Sequence, residues 1–458
     1  MYHINFNNPV HVHFIGIGGI SMSGLAEILL DRKFTVSGSD AKESGLTAHL
    51  TEKGASVIYG QSAENITEDI DVVVYTAAIR QDNPELSAAK EKNIPCLTRA
   101  QLLGQIMLNY DTPVAVSGTH GKTTTTSMIS EILLTADTDP TLSIGGILSS
   151  IHGNIRVGNS PLFVTEACEY TNSFLSFFPK IGLILNIEED HMDFFKDIHD
   201  IRESFRKFAS LLPEDGILII NGDIENLPEI TDSLKCRIIT YGSNSSCDYY
   251  PEEITYDEFA RPTYRLCHKD TRRSFTLGVS GKHNVYNSMA AIALADALGL
   301  STDSVSRALA GFHGTDRRFQ LKGECDGVTI IDDYAHHPTE ISATLSAAAN
   351  FPHKKLWCVF QPHTYTRTKA FLPQFAKSLS AADHVVLADI YAAREKNLLG
   401  ISSKDLQNEL LKLGVACDYF PSFEEIENFL KKNYSPGDLL ITMGAGDVVN
   451  IGEDLLKK

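Results

Sequence analysis

The run from Val114 to Thr126, VAVSGTHGKTTTT, places Gly118, Gly121, Lys122 and Thr123 where a phosphate group can be held. Glycines let the backbone turn tightly beside a ligand, and amide N–H groups at a helix start face an anion. Lys122 then neutralises the β- and γ-phosphates of a nucleotide, and the Thr123 hydroxyl ligates Mg²⁺. The general phosphate-loop pattern has four residues between its glycines, whereas Gly118 and Gly121 enclose two, so the strict motif does not match. The apolar stretch before the loop and the four threonines after it argue against an incidental Gly-Lys turn.

Two carboxyl-rich strand ends belong with this loop. Glu166 follows the apolar run 162–165, where a second Mg²⁺ ligand is expected, directly or through water. His191 follows the run 181–187 and is flanked by Glu188, Glu189, Asp190 and Asp193. Alone it would be read as a surface histidine. Together, Thr123, Glu166 and His191 read as a metal–phosphate site. Further on, Asn284 and Asn287 share one face of a helix, and Asn284 stands where it could cap that helix. On residue type alone, capping and solvation account for both.

A second glycine cluster, Gly16, Gly18 and Gly19, follows the apolar run 11–17, with Ser39 and Asp40 at the end of the next strand. This β–glycine loop–α–β order, with an acid about 20 residues on, reads as a Rossmann-like domain for a nucleotide diphosphate. Ser21 stands where the third glycine of G-x-G-x-x-G is required, which counts against hydride transfer. Thr76 and Ala77 end the strand 71–76 and are expected at the same crevice, since open α/β sheets bind ligands at the carboxyl ends of their strands. In the last third, strands at 328–331, 356–360, 384–388 and 439–442 end in Asp333-Tyr334-Ala335-His336-His337, in His363-Thr364-Tyr365-Thr366-Arg367, in Asp389 and in Gly444. Four polar strand ends in one sheet mark a binding edge. Arg367 is the natural carboxylate anchor. Adjacent histidines rarely point at one ion, so His336-His337 is not read as zinc-binding.

The elements that carry these residues alternate strand and helix, and 458 residues suggest about three domains. The reading is α/β with a Rossmann-like domain at 1–108, a central phosphate-loop, ATPase-like parallel sheet at 109–316, and a second Rossmann-like domain at 317–458. A formal charge of -18 argues against nucleic acid as partner. The eight cysteines are scattered without a C-x-x-C pair, and neither a signal peptide nor a membrane-length apolar run is present. A cytoplasmic protein with no membrane partner, monomeric or a weak homodimer, is expected.

The ordered segments FIGIGGISMSGLAEIL, GSD, SGTHGKTTTT, NIEEDHMDFF, GKHNVYN, DRRF, DDYAHHPTE, FQPHTYTRT and GAGD, together with the Glu166 segment, resemble the Mur ligase family over essentially the whole chain. The shortened phosphate loop is a trait of that family. The resemblance implies an ATP- and Mg²⁺-dependent ligase joining L-alanine to the lactyl carboxylate of UDP-N-acetylmuramate through an acyl phosphate, in peptidoglycan synthesis. It places the UDP-sugar near Gly16, Gly18, Gly19, Ser39, Asp40, Thr76 and Ala77. ATP is assigned to Gly118, Thr119, His120, Gly121, Lys122, Thr123 and Thr124. His283, Asn284 and Asn287 join them, with Arg318 and Asp333 reaching in from the last domain. Tyr334, His336, His363 and Arg367 form the amino-acid pocket, and Lys122, Glu166, His191 and Arg367 carry the chemistry. Thr364 stands where many relatives have arginine. Neither Arg206 nor Lys207 can be assigned as the carbamylated lysine of some members. A ligase that recycles a whole tripeptide onto the same sugar nucleotide is the nearest alternative, and an NAD-dependent dehydrogenase a more distant one.

Overall fold

The computed structural model describes residues 2–76, 79–393 and 395–457. Among them, 21 strands form three sheets. The first contains β1 (His11–Ile15), β2 (Thr35–Asp40), β3 (Ser56–Tyr59), β4 (Val72–Tyr75) and β5 (Cys96–Thr98), in the order β3-β2-β1-β4-β5. Every pairing is parallel, and the order reverses at β1, where Gly16 opens the glycine loop. A parallel sheet covered on both faces needs apolar strands, which β4 (VVVY) supplies. The departure is a polar chain on one face. His11 Nε2 and His13 Nδ1 both meet Ser37 Oγ at 2.8 Å. Beyond them the fully buried Glu85 accepts hydrogen bonds from Ser39 Oγ (2.6 Å) and Asn65 Nδ2 (2.5 Å).

The middle sheet holds β6 (Thr112–Ser117), β7 (Thr141–Leu148), β8 (Gly153–Arg156), β9 (Leu162–Ala167), β10 (Ile181–Ile184), β11 (Ile217–Asn221), β12 (Arg237–Tyr241), β13 (Tyr249–Tyr256), β14 (Pro262–His268) and β15 (Thr271–Thr276). Its order is β15-β14-β13-β12-β11-β10-β6-β9-β7-β8. The central strands are parallel, as read from the apolar runs. The antiparallel strands β13 to β15 and the edge strand β8 escape that reading, because their sequences lack a continuous apolar run. The stretch 181–187 is strand only to Ile184; beyond it the chain turns to fasten the phosphate loop.

The third sheet orders β16 (Gln320–Cys325), β17 (Val328–Asp333), β18 (Leu356–Phe360), β19 (His384–Leu387), β20 (Ala416–Tyr419) and β21 (Leu439–Met443) as β16-β17-β21-β18-β19-β20. All pairings except β16–β17 are parallel, so the four polar strand ends share one edge. The first two sheets are joined by close packing. A Cβ on Gly24 would lie 2.2 Å from Ile155 Cγ1, and one on Gly104 would lie 1.9 Å from the Ser176 carbonyl oxygen. Arg32 crosses the same junction, donating to the Gly158 carbonyl at 2.8 Å. Among the described residues, no helix is long and apolar enough to cross a membrane.

Candidate functional site

The phosphate loop leaves the carboxyl end of β6, and the helix Lys122–Thr135 follows it. Gly118 (φ 144°) and Gly121 (φ 81°) both need conformations that side chains resist. At Gly121 a Cβ would also sit 2.7 Å from Asn287 Oδ1. Asn186, just beyond β10, holds the loop by its side chain on both sides of one residue. Its Oδ1 accepts from His120 N at 2.7 Å, and its Nδ2 donates to His120 O at 3.0 Å. Thr119 N donates to Asn186 O at 3.1 Å.

Lys122 Nζ lies inside this loop, donating to the carbonyls of Gly118 and Thr119 and pairing with Glu169 at 2.9 Å. Burial disfavours its charge, but Glu169 dominates and lifts the ammonium above its ordinary value. Thr123 Oγ1 donates to Glu166 Oε2 at 3.1 Å, and Gly145 N donates to Glu166 Oε1 at 2.6 Å. Burial raises the Glu166 carboxyl despite these bonds and the nearby Lys122 and Arg318. His191 adopts a left-handed backbone (φ 52°) and stacks on Tyr170, ring centroids 4.5 Å apart. Its Nε2 is 3.8 Å from both Glu169 Oε1 and Asp190 Oδ2. Burial lowers this imidazole from its ordinary value, against the pull of those two carboxylates. Thr123 and Glu166 therefore touch, while His191 approaches the same loop by way of Glu169. Glu169, 2% exposed with one oxygen unpartnered, has no role in the sequence reading.

Two cavities flank the loop. One, of about 680 Å³, lies between the middle and C-terminal sheets. It gathers His120, Gly121, Thr124, Asn284, Asn287, Arg318 and Asp333, with His283 on its rim. Asn287 Nδ2 donates to Asn284 Oδ1 at 3.0 Å, so the pair does share a helix face. Asn284 does not cap: the helix begins at Lys282, and Asn284 Nδ2 donates back to the Ser280 carbonyl. Asp333 accepts from the amides of Phe319 and Ala335, both at 2.7 Å, and burial lifts its carboxyl to about 6. His120 bridges the two sheets, with Nδ1 3.2 Å from Glu340 and Nε2 3.5 Å from Glu188. Burial opposes its charge, yet both carboxylates push the imidazole up to about 9.

The other cavity, about 770 Å³, opens where all three domains meet, with Thr98 and Arg99, Tyr170 and His191, and His363 and Arg367 on its walls. Arg367 is already engaged. Its Nε and Nη2 donate to Asp190 Oδ1 at 3.1 and 2.8 Å, and its Nη1 donates to His363 Nδ1 at 3.1 Å. An incoming carboxylate must share or displace Asp190. Burial and the charges of His336 and Arg367 lower His363 to about 4, and burial lowers His336 to about 4 as well. Tyr334 stacks under Arg317 and Arg318, 4.9 and 5.1 Å from its ring centroid. Thr364 has φ 66°, unusual for a β-branched residue, and accepts from Arg367 N.

The first sheet offers its own edge. Gly18 N donates to Asp40 Oδ2 at 2.8 Å, and Gly19 is the cap residue of the helix Ile20–Asp31. Gly16, Gly18, Gly19 and Asp40 do not line the three-domain cavity. Ser39 is fully buried with its hydroxyl given to Glu85, so its side chain has no face toward a ligand. Thr76 follows β4, and Ala77 lies outside the described residues.

Comparison with known proteins matches three consecutive family models: the Mur ligase family, catalytic domain over residues 11–111, the Mur ligase middle domain over 116–295, and the Mur ligase, glutamate ligase domain over 317–446. A UDP-N-acetylmuramate–L-alanine ligase from Agathobacter rectalis is 64% identical over the whole of both chains, and one from Lachnospira eligens is 59% identical over the same extent. Among solved structures, the UDP-N-acetylmuramate-alanine ligase of Thermotoga maritima superposes with a TM-score of 0.81 at 30% identity, covering 98% of each chain. A murein peptide ligase from Psychrobacter arcticus reaches 0.72 at 25% identity over the same coverage. By full-length identity as by motif order, this chain belongs to the Mur ligase family.

Proposed function

We propose that this protein joins L-alanine to the lactyl carboxylate of UDP-N-acetylmuramate with cleavage of ATP to ADP and phosphate. Its full-length relatives at 59–64% identity bear the name of that reaction. The observation that carries the reading is the position of the phosphate loop between two cavities. His120, Gly121 and Thr124 face the one lined by Asn284 and Asn287. Glu169, the partner of Lys122, leads to Tyr170 and His191 in the other. A nucleotide in the first presents its terminal phosphate, past Lys122, to a carboxylate in the second.

The chemistry follows from that placement. An oxygen of the lactyl carboxylate bonds to the γ-phosphorus, the bond to ADP breaks, and an acyl phosphate results. The alanine amine then attacks the acyl carbon, a C–N bond replaces the C–O bond, phosphate leaves, and the amine gives up a proton. Lys122 offsets the repulsion between two approaching anions. Thr123 Oγ1 and Glu166 Oε2, hard oxygens 3.1 Å apart, would hold Mg²⁺, and His191, 3.8 Å from Glu169, is assigned as the further ligand from the family resemblance. When bound, that ion supplies positive charge to the phosphates. Arg367, His336, His363 and Tyr334 receive the amino acid, and Gly16, Gly18, Gly19 and Asp40 receive the UDP moiety. We assign these tasks to segments 317–458 and 1–108, and ATP to 109–316. Enclosure of the junction by three domains protects the acyl phosphate from water.

The test is phosphate release from ATP with UDP-N-acetylmuramate, with and without L-alanine, beside Lys122→Ala. Release that needs both substrates and disappears in the variant is the expected result. If the tripeptide L-alanyl-γ-D-glutamyl-meso-diaminopimelate replaced L-alanine more effectively, the protein would be a recycling ligase, and indifference to the sugar nucleotide would refute both.

A further inference from the structure

His336 and His337 part company in the fold. His336 Nδ1 donates to the Tyr334 carbonyl at 3.0 Å and its ring meets His363 edge-on, whereas His337 lies tilted against His120 of the middle domain, ring centroids 4.5 Å apart. That contact builds a three-residue group from distant parts of the chain. His120 comes from the phosphate loop, Glu188 from the segment after β10, and His337 from the start of the helix Pro338–Ala348. One donor atom from each lies within 4.8 Å of the other two. We propose that His120, Glu188 and His337 form a site for one divalent transition-metal ion of the zinc class, separate from the Mg²⁺ position at Thr123 and Glu166.

The surroundings are those of a ligand set. Metal-binding histidines usually donate their second ring nitrogen to a carboxylate or carbonyl, which fixes the ring and frees the other lone pair. His120 Nδ1 is 3.2 Å from Glu340 Oε1, and its Nε2 is buried, without a hydrogen-bond partner, 3.5 Å from Glu188 Oε2, so that an arriving ion displaces the Nε2 proton and takes its place between the two side chains. His337 Nε2 donates to the Glu189 carbonyl at 3.0 Å, leaving Nδ1 to a long 3.3 Å bond from Thr339 N. Glu188 Oε2 accepts from Thr339 Oγ1 at 2.6 Å. Tetrahedral ligands at about 2.0–2.2 Å from a zinc ion stand about 3.3–3.5 Å apart. The His120–Glu188 pair already has that spacing, and His337 has to close in by a side-chain adjustment. Two imidazoles and one carboxylate select zinc, cobalt or nickel over magnesium, which prefers oxygen alone. An ion there ties the phosphate loop to the C-terminal domain and fixes the separation of the two walls of the nucleotide cavity.

Full-length protein in excess Mg²⁺ is titrated with Co²⁺, a coloured substitute for Zn²⁺, and followed by visible absorption. The expected result is one ion per chain, a spectrum bleached by Zn²⁺, and affinity about 100-fold or more lower in His337→Gln, since loss of a ligand exceeds the about 10–100-fold typical of an outer-shell partner. His336→Gln, one residue away, keeps wild-type affinity. Glu188→Gln is measured beside it, with thermal melting of each variant, so that lost binding is not lost folding. Absence of a spectrum in excess Mg²⁺, or equal affinity in wild type, His337→Gln and Glu188→Gln, overturns the site.

Discussion

Replacing Lys122 by methionine separates what the phosphate loop does for stability from what it does for chemistry. The lysine is the close cationic partner of Glu169, which is 2% exposed. Removing one member of a buried ion pair costs about 3–5 kcal/mol, mainly through the charge left behind. A second route bounds the same quantity. An orphaned carboxylate escapes by taking up a proton, and for a glutamate of ordinary pKa that costs about 3.7 kcal/mol at pH 7 and about 2.3 kcal/mol at pH 6. The two agree, so Lys122→Met loses about 3–4 kcal/mol at pH 7. The sign with pH follows from a carboxyl raised in the folded variant, whose stability falls as pH rises and recovers as pH drops toward 4. Lys122→Met/Glu169→Gln carries no buried charge there and recovers most of the loss, while ATP-dependent ligation stays abolished in both. Urea unfolding followed by circular dichroism at pH 6 and pH 7 measures this. A single variant as stable as wild type, a deficit equal at the two pH values, or no recovery in the double variant would refute the account of Glu169 as a buried counter-charge.

The other predictions concern residues away from that pair. Glu85→Ala leaves Ser39 and Asn65 without their buried acceptor, at about 1–3 kcal/mol each. Burial would raise the Glu85 carboxyl, but the imidazole of His13, 3.9 Å away, and the hydrogen bonds from Ser39 and Asn65 outweigh it and hold it below 4.5. Its contribution is therefore present above the unfolded value and lost as pH falls through the lowered one. Wild type should lose stability below about pH 4 more steeply than the variant, and acid unfolding curves check this. Gly121→Ala forces a left-handed alanine at about 1–2 kcal/mol and drives its methyl against Asn287 Oδ1. ATP affinity by calorimetry should fall about tenfold or more with the fold retained.

Much of this site could be read from the chain because its residues sit where apolar runs stop. Strand ends in a parallel sheet share one edge, so Glu166, Asp333 and the loop after β6 could be placed without coordinates. What escaped was direction and long-range pairing. Ser39 and Asp40 are neighbours, yet strand alternation turns Ser39 into the buried network with Glu85 and leaves Asp40 to the glycine loop. Glu169 stands three residues past Glu166, where the chain enters a short helical segment with left-handed Thr171 and Asn172, so no periodicity predicts its aim at Lys122. Asp190 and Arg367 meet across 177 residues, a pairing that no local pattern encodes. The first member of each DDYAHHPTE-type run was legible; Glu340, the last, gains meaning only when His120 arrives from another domain.

The Asn186 fastening of the phosphate loop has a thermodynamic consequence. A free glycine-rich loop would surrender its conformational entropy when a nucleotide arrived, and affinity would be reduced by that ordering. Here the side-chain amide of Asn186 clasps the backbone of His120 on both sides, so the ordering is complete when the domain folds. Nucleotide association should then carry a small entropic penalty, and severing the clasp should appear in calorimetry as a more negative binding entropy with little change in enthalpy. Glycine gives a chain its widest choice of conformations, and one asparagine narrows that choice at the residue held between Gly118 and Gly121 before any substrate is present.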